Sequence, residues 1–159
     1  MEPLLQLLRK NARETDATLA KMLGMPVAEV RAKIAAYEHE GVIRGYQAVV
    51  NEERLGTTDV RAVIELHIRP ERTGGFDSIA RRIGQFPQVE ALFLMSGGYD
   101  LLLFVRGRDL QEVARFVSAE LAPLDGVLGT ATHFMLKTYK DQGTLMETAQ
   151  HDDRLQVAP

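Results

Sequence analysis

The stretch MSGGYDLLLFV, Met95–Val105, sets two glycines and a carboxylate directly against an unbroken apolar run. Paired glycines between apolar segments signal a tight turn, and a run as apolar as Leu101–Val105 reads as a strand buried on both faces. The preceding residues, VEALFLMS, read as the strand that pairs with it. Asp100 then stands at the mouth of a buried strand. A plain hairpin explains that if an arginine pairs with Asp100, and a turn built around a small ligand explains it as well.

Outward from this turn the pattern stays regular. In DVRAVIELHIR, Val60, Ala62, Ile64, Leu66 and Ile68 alternate with Arg61, Val63, Glu65, His67 and Arg69, which marks a half-exposed strand. Gly75–Phe86 carries Phe76, Ile79, Ala80 and Ile83 at helical spacing. Asp109 can cap a further helix that turns Leu110, Val113, Ala114, Phe116, Val117 and Leu121 inward and ends at Pro123. GVLGTATHFMLKTY is a final long strand. The order βαββαβ is the split, ferredoxin-like arrangement. It is expected over residues 59–140, after a linker at 51–58 and before a polar tail at 141–159 that is loose or lies on a partner subunit.

Upstream the period is helical. Leu4, Leu5, Leu7 and Leu8 make one short helix ending near Asn11. Thr15 stands as the N-cap of a second, which carries Leu19, Ala20 and Leu23 and stops at Gly24. A third starts at Pro26, turns Val27, Val30, Ile34 and Tyr37 inward, and ends at Gly41. VIRGYQAVV then reads as a hairpin turning at Arg44–Gly45, with Tyr46 packing it onto the core. A small residue at Ala20 lets two helices approach, Gly24 supplies the sharp turn, and Val30 locks the next helix. That is helix-turn-helix geometry, whose second helix enters the major groove. Residues 1–50 are therefore expected to form a winged helix-turn-helix. Ala28, Glu29, Arg31, Ala32 and Lys33 of its outer face, with Arg44 of the wing, form the expected contact set for double-stranded DNA.

Composition narrows the function. The 159 residues are 45% hydrophobic and 26% charged, with a net charge of −3. Wholesale polyanion binding does not suit that balance, whereas one small DNA-reading surface does. Residues 1–56 carry eight basic and eight acidic side chains, so a single module attracts phosphate weakly and linked copies must compensate. The absence of cysteine removes disulfides and thiolate chemistry. No apolar run approaches the ~20 residues of a membrane span, and the charged start does not suit a signal peptide, so the reading is cytoplasmic. No Ser/His/Asp order, paired carboxylates or His-x3-His spacing points to catalysis, and neither a cofactor nor a metal is expected.

In both halves, in this order, the chain resembles the feast/famine (Lrp/AsnC) transcriptional regulators. The resemblance runs from about Leu4 to Gly143 and rests on LAKMLGMPVAEVRAKIAAYEHEGVIRGY, the βαββαβ half and above all MSGGYDLLLFV. It implies an α+β chain: an N-terminal winged helix-turn-helix and a C-terminal ferredoxin-like ligand-sensing (RAM) domain. It also implies homodimers paired through their sheets, assembling to tetramers or octamers. An amino acid or related effector would bind between dimers, at the turn Ser96, Gly97, Gly98, Tyr99 and Asp100. Thr130 and Thr132, on one face of the last strand, are expected in the same cleft. Pro26 stands where the family usually has a serine cap, and the third helix holds fewer arginines than is typical.

Two other readings stay open. Sirohaem decarboxylases resemble this family and hold a tetrapyrrole with histidine and arginine, which gives His67 and His133 an alternative to surface or interface positions. A ligand-binding or assembly protein with a purely structural helix-turn-helix would also have a neutral first half. His39 and His151 read as solvated.

Overall fold

The computed structural model describes residues 1–70 and 75–147. The chain divides into two compact units, Met1–Val49 and a second beginning at Val50.

The first unit holds α1 (Pro3–Lys10), α2 (Asp16–Leu23) and α3 (Val27–His39). Thr15 Oγ1 accepts the Thr18 N–H at 3.1 Å and so caps α2, whose end is turned by Gly24 at φ 65°. Leu4, Leu8, Leu19, Ala20 and Val30 are buried, and Val27, Ile34, Tyr37 and Ile43 pack around them. The Ala20–Gly24–Val30 pattern therefore does what its spacing implies. The expected hairpin does not form: residues 44–50 run on without a paired strand. Two short isolated strands gain too little from each other in water. Tyr46 is half exposed, and its O–H donates to Glu38 at 2.9 Å on α3 instead of entering the core. Ile43 fills that role.

The second unit opens with α4 (Glu52–Leu55), where a linker was expected. Asn51 caps it by accepting the Arg54 N–H at 3.3 Å, and Gly56 closes it in the left-handed region. Then follow β1 (Val60–Ile68), α5 (Asp77–Ile83), β2 (Val89–Leu94), β3 (Leu101–Gly107), α6 (Leu110–Phe116) and β4 (Val127–Phe134). The antiparallel sheet has the order β2-β3-β1-β4, the ferredoxin-like arrangement. Alternate residues Ala62, Ile64, Leu66, Ile68, Leu101, Leu103 and Val105 form one core with Ile79, Ile83, Val113, Phe116 and Leu121 from the helices.

Because the helices cover one face only, β3 is not buried on both sides: Leu102 and Phe104 sit half-buried on the open face. Leu110 is 54% exposed and Ala114 is exposed too, so the inward stripe of α6 is narrower than its composition implies. Beyond Phe116 the helix widens into one π turn, Val117–Leu121, closed by Ala122 N–H to the Val117 carbonyl at 2.8 Å. The last strand stops at Phe134. The first part of the expected tail is then folded: β5 (Lys140–Asp141) and β6 (Thr144–Leu145) pair across Gln142–Gly143, both at positive φ. Met146 is buried, and its carbonyl accepts from Asn51 Nδ2 at 2.7 Å. The remainder of the tail, with His151, lies outside the described residues.

Candidate functional site

In an α-helix successive residues turn by about 100°, so residues two apart point to opposite flanks. With Val30, Ile34 and Tyr37 of α3 turned to the core, its outermost ridge is Ala28, Ala32, Ala35 and Ala36, followed in the last turn by His39, all exposed. Arg31 lies on one flank, its side chain 71% exposed, with Nε 2.7 Å from Asp16 Oδ2 at the first turn of α2. Lys33 lies on the other flank at 38% exposure, 3.7 Å from Glu2 and 3.8 Å from the exposed Glu29. Arg31 and Lys33 thus do not project together, a correction to their grouping. Arg44 is exposed, and its side chain folds back over Gly41.

The second candidate site is the β2–β3 connection. Ser96, Gly97 and Gly98 are exposed, while Tyr99 and Asp100 are half-buried. The Met95 N–H closes the turn on the Asp100 carbonyl at 2.8 Å. Asp100 is fastened to β1 twice: its N–H donates to the Leu66 carbonyl at 2.9 Å, and its Oδ2 accepts the Ile68 N–H at 2.7 Å. Among the described residues no arginine pairs with Asp100, and one carboxylate oxygen is engaged by backbone. Gly97 has φ 137°, a region that L side chains rarely adopt. Gly98 lies outside that region, and a Cβ built there meets nothing within 4 Å. Nothing in the described chain requires Gly98 to be bare.

Thr130 and Thr132 pair with Leu66 and Ile64, so both face the helical layer, while Ala131 and His133 face the open side. Thr130 sits two strands across from Leu101, at the end of the sheet that carries the turn, and Thr132 lies two residues further away. The chain alone gathers Ser96–Asp100 into one turn but does not bring both threonines to it.

Residues 61–145 match the model of the Lrp/AsnC ligand binding domain. The chain belongs to the Lrp/AsnC family. It is 44% identical over 157 residues to the HTH-type transcriptional regulator YugG of Bacillus subtilis, covering 98% of this chain and 95% of that one. Its fold is similar to the NMB0573/L-Met complex of Neisseria meningitidis, with TM-score 0.69, 25% identity and coverage of 87% and 88%. Escherichia coli AsnC matches it with TM-score 0.67 and 20% identity, covering 91% and 94%, a likeness of fold. The chain is thus a transcriptional regulator of Lrp/AsnC type.

At the opposite end of the sheet from the turn, this Lrp/AsnC chain carries an ion-pair network that the sequence did not disclose. Arg61 and Arg106 are direct cross-strand partners on the open face, an arrangement that repels unless a carboxylate lies between them. Glu90 of β2 accepts from both guanidinium groups, and Arg106 also reaches Glu52 of α4 and Asp59. Glu52 and then Glu90 raise the Arg106 pKa further above its already high value. Beside the network lies a cavity of about 130 Å3, lined by residues including Asn51, Glu52, Asp59, Arg61, Met135 and Met146.

The two strand histidines do not converge. His67 lies opposite Gly129, whereas His133 lies opposite Val63 and is 3.4 Å from Glu65. Among the described residues no group of three or more His, Asp or Glu side chains could hold a metal ion, and no helix is long and apolar enough to cross a membrane.

Proposed function

We propose that this regulator reads double-stranded DNA in the cytoplasm with the first unit's α3. The assignment of residues 1–50 to DNA, and of 59–140 to effector binding and assembly, belongs to the same reading. An amino acid or related small molecule, held at Ser96–Asp100 between paired dimers, changes that binding. The observation that carries the effector part is Gly98: neither backbone conformation nor packing demands glycine there, so the room it leaves serves something outside the described chain. The adjacent N–H groups suit a carboxylate, and Ser96 and Tyr99 offer hydroxyls. Asp100 keeps a second oxygen beyond its backbone bond to Ile68 for an ammonium. The similar Neisseria meningitidis structure is a complex with L-Met, a molecule of this chemical class.

The open sheet face supports pairing. Phe93 is 50% exposed, its ring is 6.2 Å edge-on to Phe104, and Leu102 and Val63 lie on the same face. A second copy laid on that face would form the homodimer, and dimers would close into tetramers or octamers. The role is regulatory rather than enzymatic: His67 and His133 stand apart, and a ferric tetrapyrrole is expected to leave its Soret band unchanged on mixing. Genome-wide footprinting of the purified protein, with and without an amino-acid mixture, tests the whole reading. Discrete protected sites whose occupancy shifts with the mixture are expected; an absence of sites would end it.

A further inference from the structure

Arg31 is the cation that α3 holds out most fully, yet its sole ion pair among the described residues uses Nε. An arginine carries one N–H on Nε and four on its two terminal nitrogens, in a fixed planar fork. With Nε–H given to Asp16 Oδ2, the side-on fork is occupied and the end-on fork of the two terminal nitrogens remains. That remaining edge matches two adjacent acceptors such as O6 and N7 of guanine. The neighbouring ridge carries only Ala28, Ala32, Ala35 and Ala36 until His39 in the last turn, so the part of the helix beside Arg31 permits close approach to a base pair.

We propose that Asp16 is a positioning residue for base readout, holding Arg31 by Nε so that its end-on edge selects guanine in the major groove. This rests on the reading of α3 as the DNA-contacting helix. Two physical effects follow from the contact. Fixing a long side chain before binding removes much of the entropy that an unrestrained arginine loses on docking. The Asp16 carboxylate also cancels part of Arg31's attraction for phosphate, so the pair adds discrimination more than general affinity. Asp16 has a structural role too, since an acid in the first turn of α2 favours the helix dipole, and the test must separate the two.

The full-length protein and its Asp16→Ala, Arg31→Ala and doubly substituted forms are each used to select from duplexes with a randomised central segment. Affinity for an unrelated duplex is measured alongside across a salt series. The wild type is expected to enrich a motif with guanine at a position where Asp16→Ala and Arg31→Ala each lose about tenfold preference. The double substitution is expected to lose no more than either alone, and Asp16→Ala to bind the unrelated duplex at least as tightly as wild type. A helix-stabilising role alone would instead lower every affinity together. Full guanine preference in Asp16→Ala overturns the proposal, as does a further loss when Asp16→Ala is added to Arg31→Ala. Wild-type protein that enriches no motif overturns the DNA reading itself, and the proposal with it.

Discussion

Arg31 and Lys33, with one residue between them on α3, leave the helix on opposite flanks, one toward Asp16 and the other toward Glu2. Their contributions to DNA binding should therefore differ. Arg31→Ala is expected to weaken binding to a selected duplex about tenfold. Lys33→Ala, which removes a cation already shared between two carboxylates, should cost less. Fluorescence anisotropy titrations over a salt series check both.

The two turn glycines should separate stability from ligand binding. Gly98→Ala is expected to change folding stability by no more than about 0.5 kcal/mol. Gly97→Ala should cost about 1–3 kcal/mol, because alanine must adopt φ near 137°. Calorimetric titration with an amino-acid panel should show weaker effector binding in Gly98→Ala despite its native melting temperature. Unchanged binding would remove the argument from Gly98.

Asp100 fastens the turn to β1. Asp100→Ala leaves the partly buried Ile68 N–H without its acceptor, a loss of about 1–3 kcal/mol. Asp100→Asn keeps a side-chain oxygen at that position and should lose clearly less. Urea denaturation of the two variants measures the difference.

Glu112 supplies a pH dependence. Its carboxylate accepts the Arg108 backbone N–H at 2.7 Å and the Arg108 Nε–H at 3.0 Å, and these hold its pKa below the ordinary 4.5. A carboxyl depressed in the folded state stabilises above its unfolded pKa and loses that contribution as pH falls through the folded value. Wild type should thus be more stable than Glu112→Gln at neutral pH, with the gap closing below pH 4.5. Thermal melts across that range check it.

Association should depend on the open face of the sheet. Phe93→Ser removes an aromatic that is half exposed in the single chain, so the fold should persist while the mass measured by light scattering falls. An unchanged mass would place the interface elsewhere.

The legible parts of this fold were those where one physical preference dominates a long run. Val60–Ile68 alternates strictly and is a strand buried on alternate residues. Thr15, Gly24 and Asp109 each had one local job and performed it. Misreadings arose where local pattern has two causes. Leu102 and Phe104 are as apolar as core residues, and nothing in LLLFV distinguishes a core face from an open one. Leu110 follows a helix cap but sits too early in α6 to turn inward. The helix Glu52–Leu55 had an asparagine cap and a closing glycine, yet four residues are too few to show a period. Arg31 and Lys33 could have been separated by counting 100° steps. The choice of Asp100 for a backbone N–H could not have been read, because a carboxylate accepts from any donor that the tertiary fold brings near.

The wide turn at Val117–Leu121 has a consequence for comparing this chain with its relatives. Leu121 follows Val113 by eight positions and Phe116 by five, and the bond from the Ala122 N–H back to the Val117 carbonyl encloses one residue more than an α turn does. Remove one residue between them, and the intervals become seven and four, those of an unbroken α stripe. A relative one residue shorter here should therefore superpose on both sides of the omission, and a single-position gap in this segment records a length change that the three-dimensional structure absorbs without moving its core.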